Sequence, residues 1–161
     1  MAAAMQTHLQ AASVQERGSK ALVNMCRGID AAAPARRQRA AEAGALEVVV
    51  EALQAHLQVA SVQQCGCAAL HGMCCGDDAA APARRQRAGE AGALEAVAAA
   101  MRAHPQVVDV QERGCAALRC VCCGDDAAAL AHIQRAVGRQ GHSRWWRQRC
   151  RRIRRALVNC N

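Results

Sequence analysis

The stretch EAGALEVVVEALQAHLQVASVQQCGCAALHGMCC, residues 42–75, decides the fold. Leu46, Val49, Val50 and Leu53 fall at i, i+3, i+4 and i+7, one apolar face of a helix. Glu47 and Glu51 lie off that face. The helix is expected to end near His56, a polar group suited to C-terminal carbonyls. A second helix begins near Ser61, with Val62, Gly66, Ala69, Leu70 and Met73 as its buried stripe. Gly in mid-helix is costly, so Gly66 points to the close approach of a neighbouring helix backbone. Gly76 stands just past the last apolar residue, where a helix C′ residue belongs.

The same pattern is written repeatedly at a spacing of 48 residues. VQQCG at 62–66 answers to VQERG at 14–18 and again at 110–114. EAGALE at 42–47 returns at 90–95, and AAAPARRQRA at 31–40 returns unchanged at 79–88. Leu94, Val97 and Met101 copy the first stripe, and Pro105 stops that helix. The copies of the second stripe are Val14, Gly18, Ala21, Leu22, Met25 and Val110, Gly114, Ala117, Leu118, Val121. Gly28 and Gly124 are the further C′ positions. Pro34 and Pro82 fit the first turn of a short helix, ARRQRAxEA. A fixed period in the 40s, with no strand-like alternation, predicts an all-α solenoid.

These motifs resemble the armadillo repeat, whose pattern is roughly EAGAIPALVxLL followed by VQxxAxxALxNLA. The resemblance covers about residues 4–136. It implies an armadillo-like α-solenoid, a right-handed superhelix of two to three repeats of 48 residues. The longest helix of each repeat would line a concave groove. Nuclear-import members of the family clamp basic peptides with a Trp and an Asn four residues later. The Asn position falls on Asn24, Gly72 and Cys120, and the Trp position on Lys20, Ala68 and Ala116. Only Asn24 matches, which argues against that mode of binding.

The chain has no Phe, no Tyr and two Trp, so Ala, Val, Leu, Met and Cys must build the core. Each unit then buries little area, and stability has to come from stacking neighbours. The net charge of +8 is not spread along the chain. Residues 1–137 are balanced, and the excess is eight Arg in residues 138–161. The chain thus divides into a repeat array, 1–137, and a basic tail, 138–161. The tail reads as the repeat in a shifted frame. If EAGALEVVAA is written GAG GCA GGG GCA CTC GAG GTG GTG GCG GCA, reading one base later gives RQGHSRWWR, residues 139–147. The chain also starts inside a helix, since AMQTHLQ at 4–10 matches ALQAHLQ at 52–58. The expectation is an internal fragment of a longer array.

Several residue clusters have a chemical reading beside a structural one. Cys67, His71, Cys74 and Cys75 share one helix and suggest zinc, but a single straight helix cannot converge four ligands. The recurrence Cys26, Cys74, Cys122 favours small buried hydrophobes in a reducing compartment. His8, His56 and His104 recur at a helix end, which favours a helix-terminal role. ARRQRA at 35–40 and 83–88 reads as a solvated face, with an acidic partner as the alternative. Adjacent acids such as Asp77 and Asp78 read as solvated loop residues. No GxSxG, phosphate-binding glycine loop or HExxH occurs, so no catalysis and no cofactor is expected.

The expected function is a non-catalytic protein–protein scaffold that binds an extended peptide or helix along the groove. The outward positions by helical period are Glu16, Lys20 and Asn24, then Gln64, Ala68 and Gly72, then Glu112, Ala116 and Cys120. One alternative is nucleic-acid or acidic-surface binding through the Arg/Trp tail with Trp145 and Trp146. A second is a Cys-based metal or redox protein. No stretch approaches a membrane span, and no signal peptide is evident. The cytoplasm, or the nucleus, is the expected location.

Overall fold

The computed structural model describes residues 1–28 and 30–122. The described residues contain helices and no strand, so the fold is all-α. The helices are α1 (Ala2–Thr7), α2 (Ala12–Cys26), α3 (Ala33–Glu42), α4 (Ala45–Ala55), α5 (Ala60–Cys74), α6 (Ala81–Glu90), α7 (Ala93–Ala103) and α8 (Val108–Val121). The expected helix end at His56 is observed, with His56 as the C-cap of α4. Pro34 and Pro82 sit in the first turns of α3 and α6. Gly124, Asp125, Asp126 and the tail 138–161 lie outside the described residues.

The long helices α2, α5 and α8 carry the arrangement. α5 packs against α2 on one side and α8 on the other. Glu16 faces Ser61, Lys20 faces Cys65, and Cys26 lies against Gly72, so α2 and α5 run parallel in the register of the repeat. Behind this row lie α4 and α7, whose apolar faces close the core. Leu46, Val49, Leu53, Leu70 and Met73 are each 0–1% exposed. At the same positions of the first unit, Ala21 is exposed and Met25 is 37% exposed. Those residues are not buried as the stripe predicted, because among the described residues no earlier helix covers that side of α2.

Gly66 has a different reason from the one its position suggests. A Cβ there would lie 2.6 Å from Leu53 Cδ2, so the close neighbour is a core side chain and not a backbone. Gly18 meets Met5 and Gly114 meets Met101 in the same way. Each unit therefore plugs the final apolar residue of one helix into a notch on the next.

The ends of the long helices correct the reading of ARRQRA. It is not a solvated face. Arg84 is 1% exposed and Arg37 is 9% exposed. The Arg84 Nε donates to the Met73 carbonyl at 2.9 Å, and its two Nη groups clasp Asp78 at 2.8 and 2.7 Å. Arg85 donates to the carbonyls of Cys74 and Gly76. Two adjacent guanidiniums thus satisfy the last carbonyls of α5, which a helix leaves without internal partners. Arg36 and Arg37 do the same for α2, donating to Met25, Arg27, Cys26 and Gly28. Five donors on a planar cation at a helix C-terminus suit this task in both charge and geometry. Gly76, with φ of 96°, lets the chain leave the helix in a form an L side chain resists. Asp78 is accordingly not a solvated loop acid, while Asp77 is fully exposed.

These pairs set an acid limit. The Arg84 guanidinium holds the Asp78 carboxyl down at about 2, and Arg36 does the same for Asp30. A carboxyl with a depressed pKa stabilises the fold above its ordinary value, and that contribution fades as pH falls through the folded value. The midpoint of thermal unfolding should be flat near neutrality and drop as pH falls from about 4 to about 2. Asp78→Asn should flatten part of that drop, and an unchanged acid profile in the variant would remove Asp78 from the cause.

Candidate partner-binding face

The face of α5 away from α4 is the one open to a ligand. Gln64, Ala68, His71 and Cys75 lie along it, all half-buried. The matching residues on α2 are Glu16, Lys20, Val23 and Arg27, and on α8 they are Glu112, Ala116 and Arg119. Because the three helices are in register, these residues form a strip that crosses all three.

Most of the nine positions expected from the sequence fall on or beside this strip. Glu16 and Gln64 are half-buried, Lys20 and Glu112 are exposed, and Ala68 and Ala116 are half-buried. The third position differs between the helices. Cys120 is buried at 9% and belongs to the core, so it is not an outward residue. An eight-residue step turns a helix about 80° past its starting face, towards the neighbouring helix. Gly72 turns the same way, and its Cβ position lies 3.4 Å from Cys26 Cβ on α2. Asn24 is exposed because no described helix packs on that side of α2. The seven-residue step, to Val23, His71 and Arg119, stays on the open face.

The strip is mixed in charge. Lys20 and Glu16 pair at 2.5 Å, one turn apart on α2. His71 is held below the ordinary histidine range by burial and then by the nearby cations Arg119, Arg113 and Arg37. Glu16 and Glu112 stand in the N-terminal halves of α2 and α8, and Arg119 near the C-terminal end of α8.

Cys26, Cys65, Cys67 and Cys74 are buried among the helices. Burial pushes the thiols of Cys67 and Cys74 up to about 12, and raises those of Cys26 and Cys65. A thiol in this state is a poor nucleophile at neutral pH. Among the described residues, no group of three or more His, Cys, Asp and Glu is placed to hold a metal ion. In the native protein, Cys67 and Cys74 should resist iodoacetamide and become labelled in urea, as read by mass spectrometry. Native labelling of either at the rate of a free peptide thiol would contradict this packing.

The recurring histidines do more than end a helix. His56 Nε2 lies 2.7 Å from the Leu9 carbonyl, and His104 Nε2 lies 2.8 Å from the Leu57 carbonyl. Each ring ties its own unit to the one before. The buried glutamines were not singled out by pattern, yet they recur too. Gln63 Nε2 donates to the carbonyls of Leu53 and His56, and Gln15 and Gln111 make the same pair of bonds in their units. The signal was a Gln following Val at 15, 63 and 111, always beside the buried stripe.

Among the described residues, no helix is long and apolar enough to cross a membrane. Comparison with family models, with curated proteins and with solved structures gives no match.

Proposed function

We propose that this chain is a segment of an armadillo-like α-solenoid that holds another protein along the strip crossing α2, α5 and α8. The observation that carries this reading is the strip itself: three parallel helices in register, with one face packed on α4 and α7 and the other open. Small residues such as Ala68 and Ala116 leave room for a partner's backbone or helix. Lys20, Gln64, His71, Glu112 and Arg119 supply polar contacts. Each unit offers few contacts, so affinity would accumulate over several units. The reading is non-catalytic, since the cysteine thiols that burial raises are silent as nucleophiles. Thiols buried as small hydrophobes suit a reducing compartment, the cytoplasm or nucleus.

The test is selection of binders from a displayed library of random peptides, followed by titration against a strip variant, Ala68→Glu with Arg119→Glu. The expected result is at least a tenfold loss for most selected peptides. Selected peptides that bind the variant unchanged would place recognition elsewhere. Nucleic-acid binding through the Arg/Trp tail concerns residues outside those described. That reading requires salt-dependent binding that vanishes on truncation at Val137.

A further inference from the structure

One position of the strip changes chemistry from unit to unit: Val23 on α2, His71 on α5 and Arg119 on α8. α5 is flanked by α2 and α8, so the surroundings of His71 are set inside the stack. The ring is half-buried on the open face. Lys20 faces Cys65 across α2 and α5, and the same register places Ala68 opposite Arg113 across α5 and α8. Three guanidiniums act on the His71 ring, Arg119 and Arg113 from α8 and Arg37 from α3. On α2, Cys26 packs against Gly72, the residue after His71, and burial holds its thiol protonated. Among the described residues, no carboxylate acts on the ring, and neither does any group of α4, α6 or α7. Arg37 is committed to the Cys26 and Gly28 carbonyls. Arg113 and Arg119 are exposed, and neither has an ion pair or side-chain hydrogen bond among the described residues.

We infer that the α5–α8 half of the strip takes an acidic peptide segment, with a carboxylate seated against His71 between Arg113 and Arg119, and that the ring takes up a proton from solvent as the segment binds. This rests on the proposed function and names the chemistry of the partner. Arginine stays charged throughout the accessible pH range, so Arg113 and Arg119 attract the segment at neutral pH. His71 behaves differently. Burial and the same cations hold it below the ordinary histidine range, so the free ring is neutral near pH 7. A carboxylate beside the ring opposes both effects and raises its proton affinity. The complex then holds more protons than the free chain, and affinity climbs as pH falls through the histidine range. Ala68, which carries only a Cβ, leaves space beside the ring for a peptide backbone. A nucleic acid fits less well. No Phe, Tyr or Trp lies among the described residues to stack on a base. Glu16 and Glu112 stand on the same strip and repel a polyanionic backbone.

The experiment is a fluorescence-anisotropy titration of the full chain with peptides selected from a displayed random library, and with oligothymidylate. The selected peptides should be richer in Asp and Glu than the starting library. Arg113→Gln with Arg119→Gln should weaken them about tenfold or more, the scale of one to two charge-assisted contacts. Both side chains are exposed, so helicity by circular dichroism should be unchanged. With the native residues, affinity should rise at least about threefold from about pH 7.5 to about pH 5.5, where peptide carboxylates stay ionised. His71→Gln should still bind and should lose that rise. A pH profile that is flat with His71 in place, or unchanged in His71→Gln, overturns the inference. Neutral or basic peptides that are lost on Ala68→Leu, which fills the strip without adding charge, overturn it while leaving the proposed strip standing. Peptides indifferent to Ala68→Leu and to the Arg pair alike remove the strip and this inference together. Oligothymidylate that binds more tightly than the selected peptides, and is lost with Arg113 and Arg119, would assign the cations to nucleic acid and overturn it as well.

Discussion

Replacing Arg84 by Met should lower stability by about 3 kcal/mol, the cost of breaking a well-buried ion pair by removing one partner. Arg84 is 1% exposed and serves the Met73 and Cys75 carbonyls as well as Asp78, which is itself 18% exposed. Met fills much of the space but removes the donors to the Met73 and Cys75 carbonyls and leaves Asp78 with only the Ala80 N–H. For a domain of this size the unfolding midpoint should fall by about 10 °C. Arg84→Lys should not restore it, because an ammonium cannot donate in a planar fork to Asp78 and reach the carbonyls. The copy of this contact in the first unit is an internal control. Arg36 and Asp30 are 28% and 55% exposed, so Arg36→Met should cost less than about 1 kcal/mol. Equal effects at the two positions would show that burial does not set the strength of the clasp. Urea unfolding followed by circular dichroism measures both.

Gln63→Leu should be the second large effect, at about 2 kcal/mol. The side chain is 0% exposed, and its amide donates to two carbonyls at the end of α4, Leu53 at 3.0 Å and His56 at 2.8 Å. Leu has similar bulk but no donor, so the Leu53 carbonyl loses the amide donor and the His56 carbonyl keeps only the Val59 N–H. The loss is tempered because Gln63 Oε1 has no partner of its own, and the apolar replacement removes that buried oxygen. The equivalent change at Gln111 should act in the same direction through Met101 and His104. A neutral outcome at Gln63 would mean that water serves these carbonyls.

Much of the fold was legible because it depends on periodicity. Leu46, Val49, Val50 and Leu53 define a helix face whatever their neighbours do. Pro34, Pro82 and Gly76 mark helix boundaries by backbone chemistry alone. The polar contacts were harder to read. A run such as Arg84, Arg85, Gln86, Arg87 has the composition of a surface, and only its position 11 residues after Met73 turns it under the helix end. Its sequence signal was the six-residue spacing to an Asp, Asp30 to Arg36 and Asp78 to Arg84. Among the third outward positions, Cys120 is the one that packing turns inward. A helix does not return to the same face after eight residues, so Cys120 faces the core and Arg119 faces out.

Partner binding along one strip requires the three units to stand in line, so that their long helices present one face. A dipolar spin-label distance between Lys20 and Ala116 tests this directly. The labels should be carried on non-natural amino acids, since the chain has 11 Cys. Two helix-to-helix spacings of about 10 Å each predict a backbone separation of about 20 Å. A separation of about 10 Å, as between adjacent helices, would mean that α2 and α8 are neighbours in a closed bundle. The linear stack, and the strip across it, would then be contradicted.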